Sequence, residues 1–222
     1  MHRMHNKPRI QDAPQTAGAT LHWAPEYDLL SRLLGLGPNS RNSRMVVELA
    51  GIKSGDVVLD VACGTGNLTL TAASNAGPGG KVFGIDAAPE MIEVAKRKAA
   101  RSGREVVFDV GLIEQLGFPE ATFDVIISRL AAHHLPDDLK RRGFAECLRV
   151  LKPGGRMLIA DFHPPANPIL NHITSALVGS HMMQADIGIL PPMLAGAGFV
   201  EIASGPTRSA FLAYVSGRRP VN

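Results

Sequence analysis

The stretch Asp60-Val61-Ala62-Cys63-Gly64-Thr65-Gly66-Asn67 decides the reading of this chain. It follows the β-branched run 56–61 (DVVLDV), which predicts a buried strand, and it runs into 64–75, which predicts a helix entered through glycines. Ligands of open parallel sheets bind where strands end. Glycines there let the backbone turn and approach a ligand without a Cβ clash. The pattern is G-x-G without a third glycine, since Thr69 stands where a dinucleotide fingerprint needs one. Asp86, 20 positions after Gly66, ends the next apolar run 81–85 (KVFGI). An acid at that place can accept hydrogen bonds from both hydroxyls of a ribose. By itself it selects a nucleoside and not a reaction; a plain helix cap before Pro89 is the competing reading.

Working outward, apolar runs alternate with amphipathic ones. Residues 89–102 predict a helix with Pro at its first turn, 105–109 a third strand, and 123–128 a fourth. Residues 137–151 predict a helix capped by Asp137, 152–155 (KPGG) a turn, and 156–162 a fifth strand. Buried strands alternating with helices imply an α/β fold with a parallel sheet covered on both faces. Before this core, 27–36 (YDLLSRLLGL) has helical spacing, and a second helix is expected from Ser40 or Ser43 through Ala50. After it, two short helices are expected near 167–178 and 186–197, then strands at 200–204 and 210–216 around a Gly-Pro turn.

Composition bounds the function. The formal charge is only +3, with much of the excess in Arg3, Lys7, Arg9, Arg218 and Arg219, and no basic stripe runs along a helix. Nucleic acid is therefore not the expected partner. The loop after the fourth strand also lacks the N-P-P-Y or D-P-P-Y sequence that holds a flipped base. Cys63 and Cys147 are the only cysteines and do not form a metal-type or redox-type pair, which favours a reducing, cytoplasmic setting. The basic N-terminus has no apolar core of a secretory signal, and no segment reads as a membrane span, although peripheral contact stays open. The histidines are scattered, with no H-x-x-x-H on one helix, so no metal is expected.

Four segments together carry a resemblance: DVACGTGNLT (60–69), VFGIDAAPEMIEVAKRKA (82–99), FPEATFDVIISRLAAHHL (118–135) and ECLRVLKPGGRMLIADF (146–162). In order and spacing the chain resembles the class I, S-adenosylmethionine-dependent methyltransferases, and is most similar to the group of the ubiquinone/menaquinone C-methyltransferases. The resemblance implies a Rossmann-like, seven-stranded, mostly parallel sheet. It implies residues 1–50 as an N-terminal tail and helical lid, and 51–222 as the methyltransferase domain with a substrate-side insertion at about 163–197. It implies S-adenosylmethionine as cofactor, with S-adenosylhomocysteine as product. Asp60 and the backbone around Ala62, Gly64 and Gly66 would hold the methionine portion. Asp86 would bind the ribose, and Ala87 and Met91 would pack on the adenine. Leu112 stands where the family usually has an Asp for the adenine amine, leaving that base to the Ile113 N–H and to apolar packing. Arg129, ending the fourth strand, belongs to the same contact set by position.

Methyl transfer from a sulfonium needs proximity first, and a base only for phenols, enols or carbon acids. His133, in the loop after the fourth strand, is the candidate base; His134 beside it ranks lower. The bland alternative has one histidine capping a helix and the other facing solvent. Tyr27 is a second catalytic and cofactor-contact candidate, closing over the site from the lid, with His22 and Trp23 near it; a core aromatic is the alternative. Asp161 and His163 end the fifth strand on the same edge. Between Asp161 and Glu201 the only charged residue is Asp186, which suggests an apolar pocket and a small, apolar or aromatic acceptor. A homodimer interface is the competing reading of that stretch. The family's quinone enzymes carry an Arg-Asn pair at the positions of His133 and His134, so an acceptor other than their quinone stays open. Phospholipid-amine and thiol acceptors remain alternatives, as do a nicotinamide-dependent oxidoreductase and a non-catalytic nucleoside-binding module.

Overall fold

A computed structural model describes residues 36–164, 187–209 and 211–221. The expected helices at 27–36 and 167–178, and the lid residues His22, Trp23 and Tyr27, lie outside the described residues apart from Leu36. Seven strands form one sheet in the order β3-β2-β1-β4-β5-β7-β6. They are β1 Val57–Val61, β2 Lys81–Asp86, β3 Val106–Val110, β4 Phe123–Arg129, β5 Leu151–Phe162, β6 Val200–Pro206 and β7 Leu212–Arg218. The first five are parallel; β7 runs antiparallel between β5 and β6. The order reverses beside β1, so β1 and β4 part company at the switch point where ligands of such sheets bind.

Five α-helices are described: α1 Arg41–Leu49, α2 Asn67–Ala76, α3 Pro89–Ser102, α4 Asp137–Val150 and α5 Leu190–Ala197. Strand alternation explains their placement. Val58, Val125, Ile127 and Leu158 point to one face and pack with Val46, Val47, Leu68 and Ala72 of α1 and α2. Leu59, Ile126, Met157 and Ile159 point to the other face and pack with Phe144 and Cys147 of α4 and Leu194 of α5. The same alternation sends Asp60 and Arg129 toward α1 and α2, and Ser128 and Asp161 toward the opposite side.

Several sequence expectations shift in detail. The helix after the glycine loop starts at Asn67, because Gly66 is its left-handed N-cap (φ 77°) and Gly64 (φ 53°) is still turning. Asp137 does not cap α4: Pro136 holds the cap position, and Asp137 sits in the first turn, where it pairs with Lys140 at 3.0 Å. The KPGG segment belongs to β5, as an excursion that shifts its register against β4 between Phe123 and Val125. Gly205 and Pro206 pair with β7, so the reversal falls after them; there Thr207 donates backbone and hydroxyl hydrogen bonds to the Leu212 carbonyl. Pro206 is tolerated because β6 is the edge strand.

Candidate active site

At the C-terminal ends of β1, β2 and β4 the backbone opens a single cleft. Asp60, Ala62, Gly64, Asp86, Ala87, Met91, Leu112, Ile113 and Arg129, all singled out from sequence, line it. Gly66 and His133 do not line it and lie behind its wall. Tyr27 is outside the described residues.

The polar end is built on β1 and β2. Asp86 accepts the Gly64 N–H at 2.8 Å on Oδ2 and the Ala88 N–H at 2.9 Å on Oδ1. The cap reading of Asp86 is therefore half right: its side chain ties down the turn before α3, whose N-cap Ala88 offers no side chain of its own for the purpose. Each carboxylate oxygen retains a lone pair, which suits two ribose hydroxyls. The Gly64 amide is committed to Asp86, so Gly64 serves the cleft by shape and not as a donor. Burial pushes the Asp86 carboxyl above its ordinary range, partly offset by these two N–H bonds. Ala62 (φ 56°) and Leu130 (φ 56°) both line the cleft in left-handed backbone, a strained conformation for side chains with a Cβ.

Asp60 is almost completely buried and accepts the Thr69 hydroxyl at 2.6 Å from the first turn of α2. Burial raises its carboxyl from 3.8 to about 7, against the lowering effect of Thr69 and of the Arg129 charge. Arg129 in turn donates to the Ser43 hydroxyl at 2.8 Å and the Leu36 carbonyl at 2.9 Å, fastening the chain ahead of α1 to the end of β4. Thr69 was not singled out from sequence; a hydroxyl in the first helical turn after a glycine loop is the signal that marks it.

A titration follows. Asp60 has a folded pKa above its unfolded one, so its contribution favours the fold below about pH 3.8 and is lost as pH rises toward about 7. The ligand-free protein should lose melting temperature between pH 4 and pH 7, and Asp60→Asn should flatten that loss. Binding of a cationic ligand favours the ionised form, so affinity for S-adenosylmethionine should rise through the same window with release of protons. A melting curve series and calorimetry in two buffers of different ionisation heat check both; equal slopes in wild type and Asp60→Asn contradict the assignment.

Residues 111–114 form the far wall, and the chain just after them is held from α4. Glu146 accepts the Leu116 N–H at 2.9 Å, and Arg149 donates to the Phe118 and Leu116 carbonyls at 3.0 and 2.9 Å. Arg149 beside it keeps the Glu146 carboxyl below its usual range. Leu112 and Ile113 give this wall an apolar surface, with Glu114 also in the lining. Beyond it, toward β4 and β5, the lining is Leu130, Ala131, Ala132, Leu135, Phe144, Met157 and Ile159, with His134 and Ser128.

His133 is placed differently from the bland sequence reading. It neither caps α4 nor faces solvent. It occupies a 3-10 turn (Ala132–His134), with its N–H donated to Asp161 Oδ2 at 3.0 Å and its Nδ1 2.6 Å from Asp161 Oδ1. Asp161 was noted at the strand end but not paired; β4 and β5 being neighbours, with Arg129 opposite Ala160, brings the two together.

Among known proteins, the family model for the methyltransferase domain matches residues 58–155. The demethylmenaquinone methyltransferase of Thermus thermophilus is 42% identical over 142 residues, covering 64% of this chain and 63% of that protein. The ubiquinone/menaquinone biosynthesis C-methyltransferase of Azotobacter vinelandii is 30% identical over 237 residues, covering 96% of this chain and 93% of that protein. The chain spans just under two thirds of the length of the first curated relatives it matches, at 63% and 64%. Among solved structures, a SAM-dependent methyltransferase from Aquifex aeolicus superposes with a TM-score of 0.69 at 23% identity, covering 88% of this chain and 96% of that one. With the fold, the glycine loop and the acid of β2 already in place, the chain belongs to the class I methyltransferases, in the group that includes the ubiquinone/menaquinone C-methyltransferases.

Proposed function

We propose that this chain transfers the methyl group of S-adenosylmethionine to a small apolar or aromatic acceptor. One observation carries the reading: the cleft is divided. Its β1–β2 end holds two carboxylates and a glycine loop, and its β4–β5 end is lined almost wholly by apolar side chains. Two acids against one Arg129 suit a donor that carries a sulfonium and an ammonium. When bound, the donor supplies an already activated methyl group. Asp86 binds the ribose hydroxyls, Asp60 compensates positive charge near the methionine portion, and Ala87, Met91, Leu112 and Ile113 pack against the base. The apolar end excludes water and presses the acceptor into line. In this reading the chain ahead of α1 acts as tail and lid, whereas α1 packs on the sheet through Met45, Val46 and Val47 and α5 packs in the core through Leu190 and Leu194.

The relatives' printed names point to quinone-type rings, and such a ring fits the apolar end. No described helix is long and apolar enough to cross a membrane, so a lipophilic acceptor would be met at a surface or carried in solution. An acceptor screen with methyl-labelled donor tests the proposal, using a reduced demethylnaphthoquinone, phosphoethanolamine and a small thiol. Label in the quinol arm is expected. Label confined to the thiol or the phosphoamine arm overturns the aromatic acceptor, and no label transfer to any acceptor counts against the activity.

A further inference from the structure

His133 and Asp161 form a buried pair behind the apolar end of the cleft. Their side chains are only 4% and 3% exposed, and Asp161 Oδ1 also accepts the Phe162 N–H at 2.7 Å. With Nδ1–H donated to Asp161, the imidazole is left with Nε2 as a bare acceptor. That atom is buried and has no hydrogen-bond partner among the described residues. Leaving a buried polar atom unpaired is costly, and such orphans in native folds call for a functional explanation. The residues on both sides of His133, namely Ala131, Ala132, His134 and Leu135, line the cleft. The ring of His134 lies 3.9 Å from that of His133, tilted by 46°.

We infer that His133 is the base that takes a proton from the acceptor, with Asp161 as its positioning residue, and that the acceptor is therefore one that must lose a proton on methylation. This rests on the methyl-transfer reading and narrows its substrate to phenolic or quinol hydroxyls and the ring carbons they activate. At a hydroxyl acceptor the O–H proton passes to His133 Nε2 as the oxygen lone pair forms the bond to the methyl carbon. At a quinol ring carbon the O–H proton passes to Nε2, the ring carbon's π pair forms the bond to the methyl carbon, and the ring C–H proton is then lost as the carbonyl oxygen regains one. The methyl–sulfur bond breaks, its electron pair stays on sulfur, and neutral S-adenosylhomocysteine leaves. Asp161 fixes the tautomer and stabilises the imidazolium that forms, the role a carboxylate plays in other acid–base pairs. His134, whose ring packs on the base and reaches the cleft, gives way to the bound acceptor.

Other charged or titratable groups near the pair do not take over this role. Arg129 points to the opposite face and is fastened to α1. His163 is exposed beyond the end of β5, with its N–H on the Phe211 carbonyl. Among the described residues His134 is the competitor, and the test separates it.

Two readouts are needed, one independent of turnover. In the S-adenosylhomocysteine complex, long-range proton–nitrogen correlation on 15N-histidine-labelled protein at pH 7.5 should show His133 neutral, protonated on Nδ1 and bare on Nε2. Asp161→Asn should disturb that tautomer. A His133 that is protonated on Nε2, or charged at this pH, overturns the inference. With the reduced demethylnaphthoquinone and labelled donor, His133→Asn and Asp161→Asn should each lower kcat about a hundredfold with KM little changed. His134→Ala, at a cleft-lining side chain, should lower kcat far less than His133→Asn does, its effect falling on KM. Full activity in His133→Asn, or loss confined to His134→Ala, overturns the base assignment. Calorimetric binding of S-adenosylhomocysteine to His133→Asn, expected at wild-type affinity, keeps this outcome apart from failure of the methyl-transfer reading itself.

Discussion

Asp86→Ala should weaken S-adenosylmethionine binding by about a hundredfold while the protein stays folded. The side chain has two tasks, and the substitution removes both. Two ribose hydroxyls lose a charged acceptor, at about 1.5–3 kcal/mol for each hydrogen bond to a charged group. The Gly64 and Ala88 amides lose the carboxylate that holds the glycine loop against the start of α3, so the loop must be ordered by the ligand at the ligand's expense. Removing a buried carboxyl whose pKa is already raised by burial relieves desolvation, which limits the damage to the fold. Asp86→Asn should fall between the two, since an amide oxygen accepts but carries no charge. Calorimetric titration with S-adenosylhomocysteine checks the series; affinities equal to wild type in both variants would remove Asp86 from the ribose.

The second large effect is on stability. Gly66 caps α2 at φ 77°, and a Cβ there would lie 2.7 Å from Phe108 Cζ and 3.1 Å from Ala95 Cβ. Left-handed backbone costs about 1–2 kcal/mol for a residue with a Cβ. Overpacking a filled site adds about 1–3 kcal/mol. Gly66→Ala should therefore lose about 2–5 kcal/mol, a large share of the stability of an ordinary domain. Gly84→Ala separates the two causes. Its Cβ would meet Phe108 Cδ1 and Cε1 at 2.7 Å without a left-handed backbone, so only the clash is at work. Pairing each substitution with Phe108→Ala should recover the clash share and leave the backbone share of Gly66→Ala in place. Urea unfolding of the five variants, with Phe108→Ala alone as the reference for each pair, gives the values. A Gly66→Ala protein as stable as wild type contradicts the account of why this glycine is there.

These two glycines also show what the sequence could and could not tell. G-x-G after a β-branched run marked the loop, and the acid 20 residues on marked a carboxylate of the same cleft, because both depend on local spacing. That Gly66 faces Phe108 and not the cleft depends on how β3 packs against α2 and α3, which spacing does not contain. The same holds for His133. Its loop was legible from the end of the fourth strand, but its burial against Asp161 arises from two strands that are neighbours in the sheet and 28 residues apart in sequence. Asp137 misled for a related reason: an acid before an apolar-periodic run is a good cap by composition, yet Pro136 took the cap position and left Asp137 inside the first turn. Where the signal was a period or a turn residue, the reading held to within a few residues, as for 89–102 and for Arg41–Leu49 capped by Ser40. Where it was a side chain's partner across the sheet, only the fold supplied it.

The central claim is that the divided cleft holds an S-adenosyl compound, and one titration tests it most directly. Purified chain should bind S-adenosylhomocysteine at one site, lose about a hundredfold in affinity in Asp86→Ala, and bind NAD or NADP far more weakly than either S-adenosyl ligand. Tighter binding of a nicotinamide dinucleotide, or S-adenosylhomocysteine binding untouched by Asp86→Ala, would contradict it.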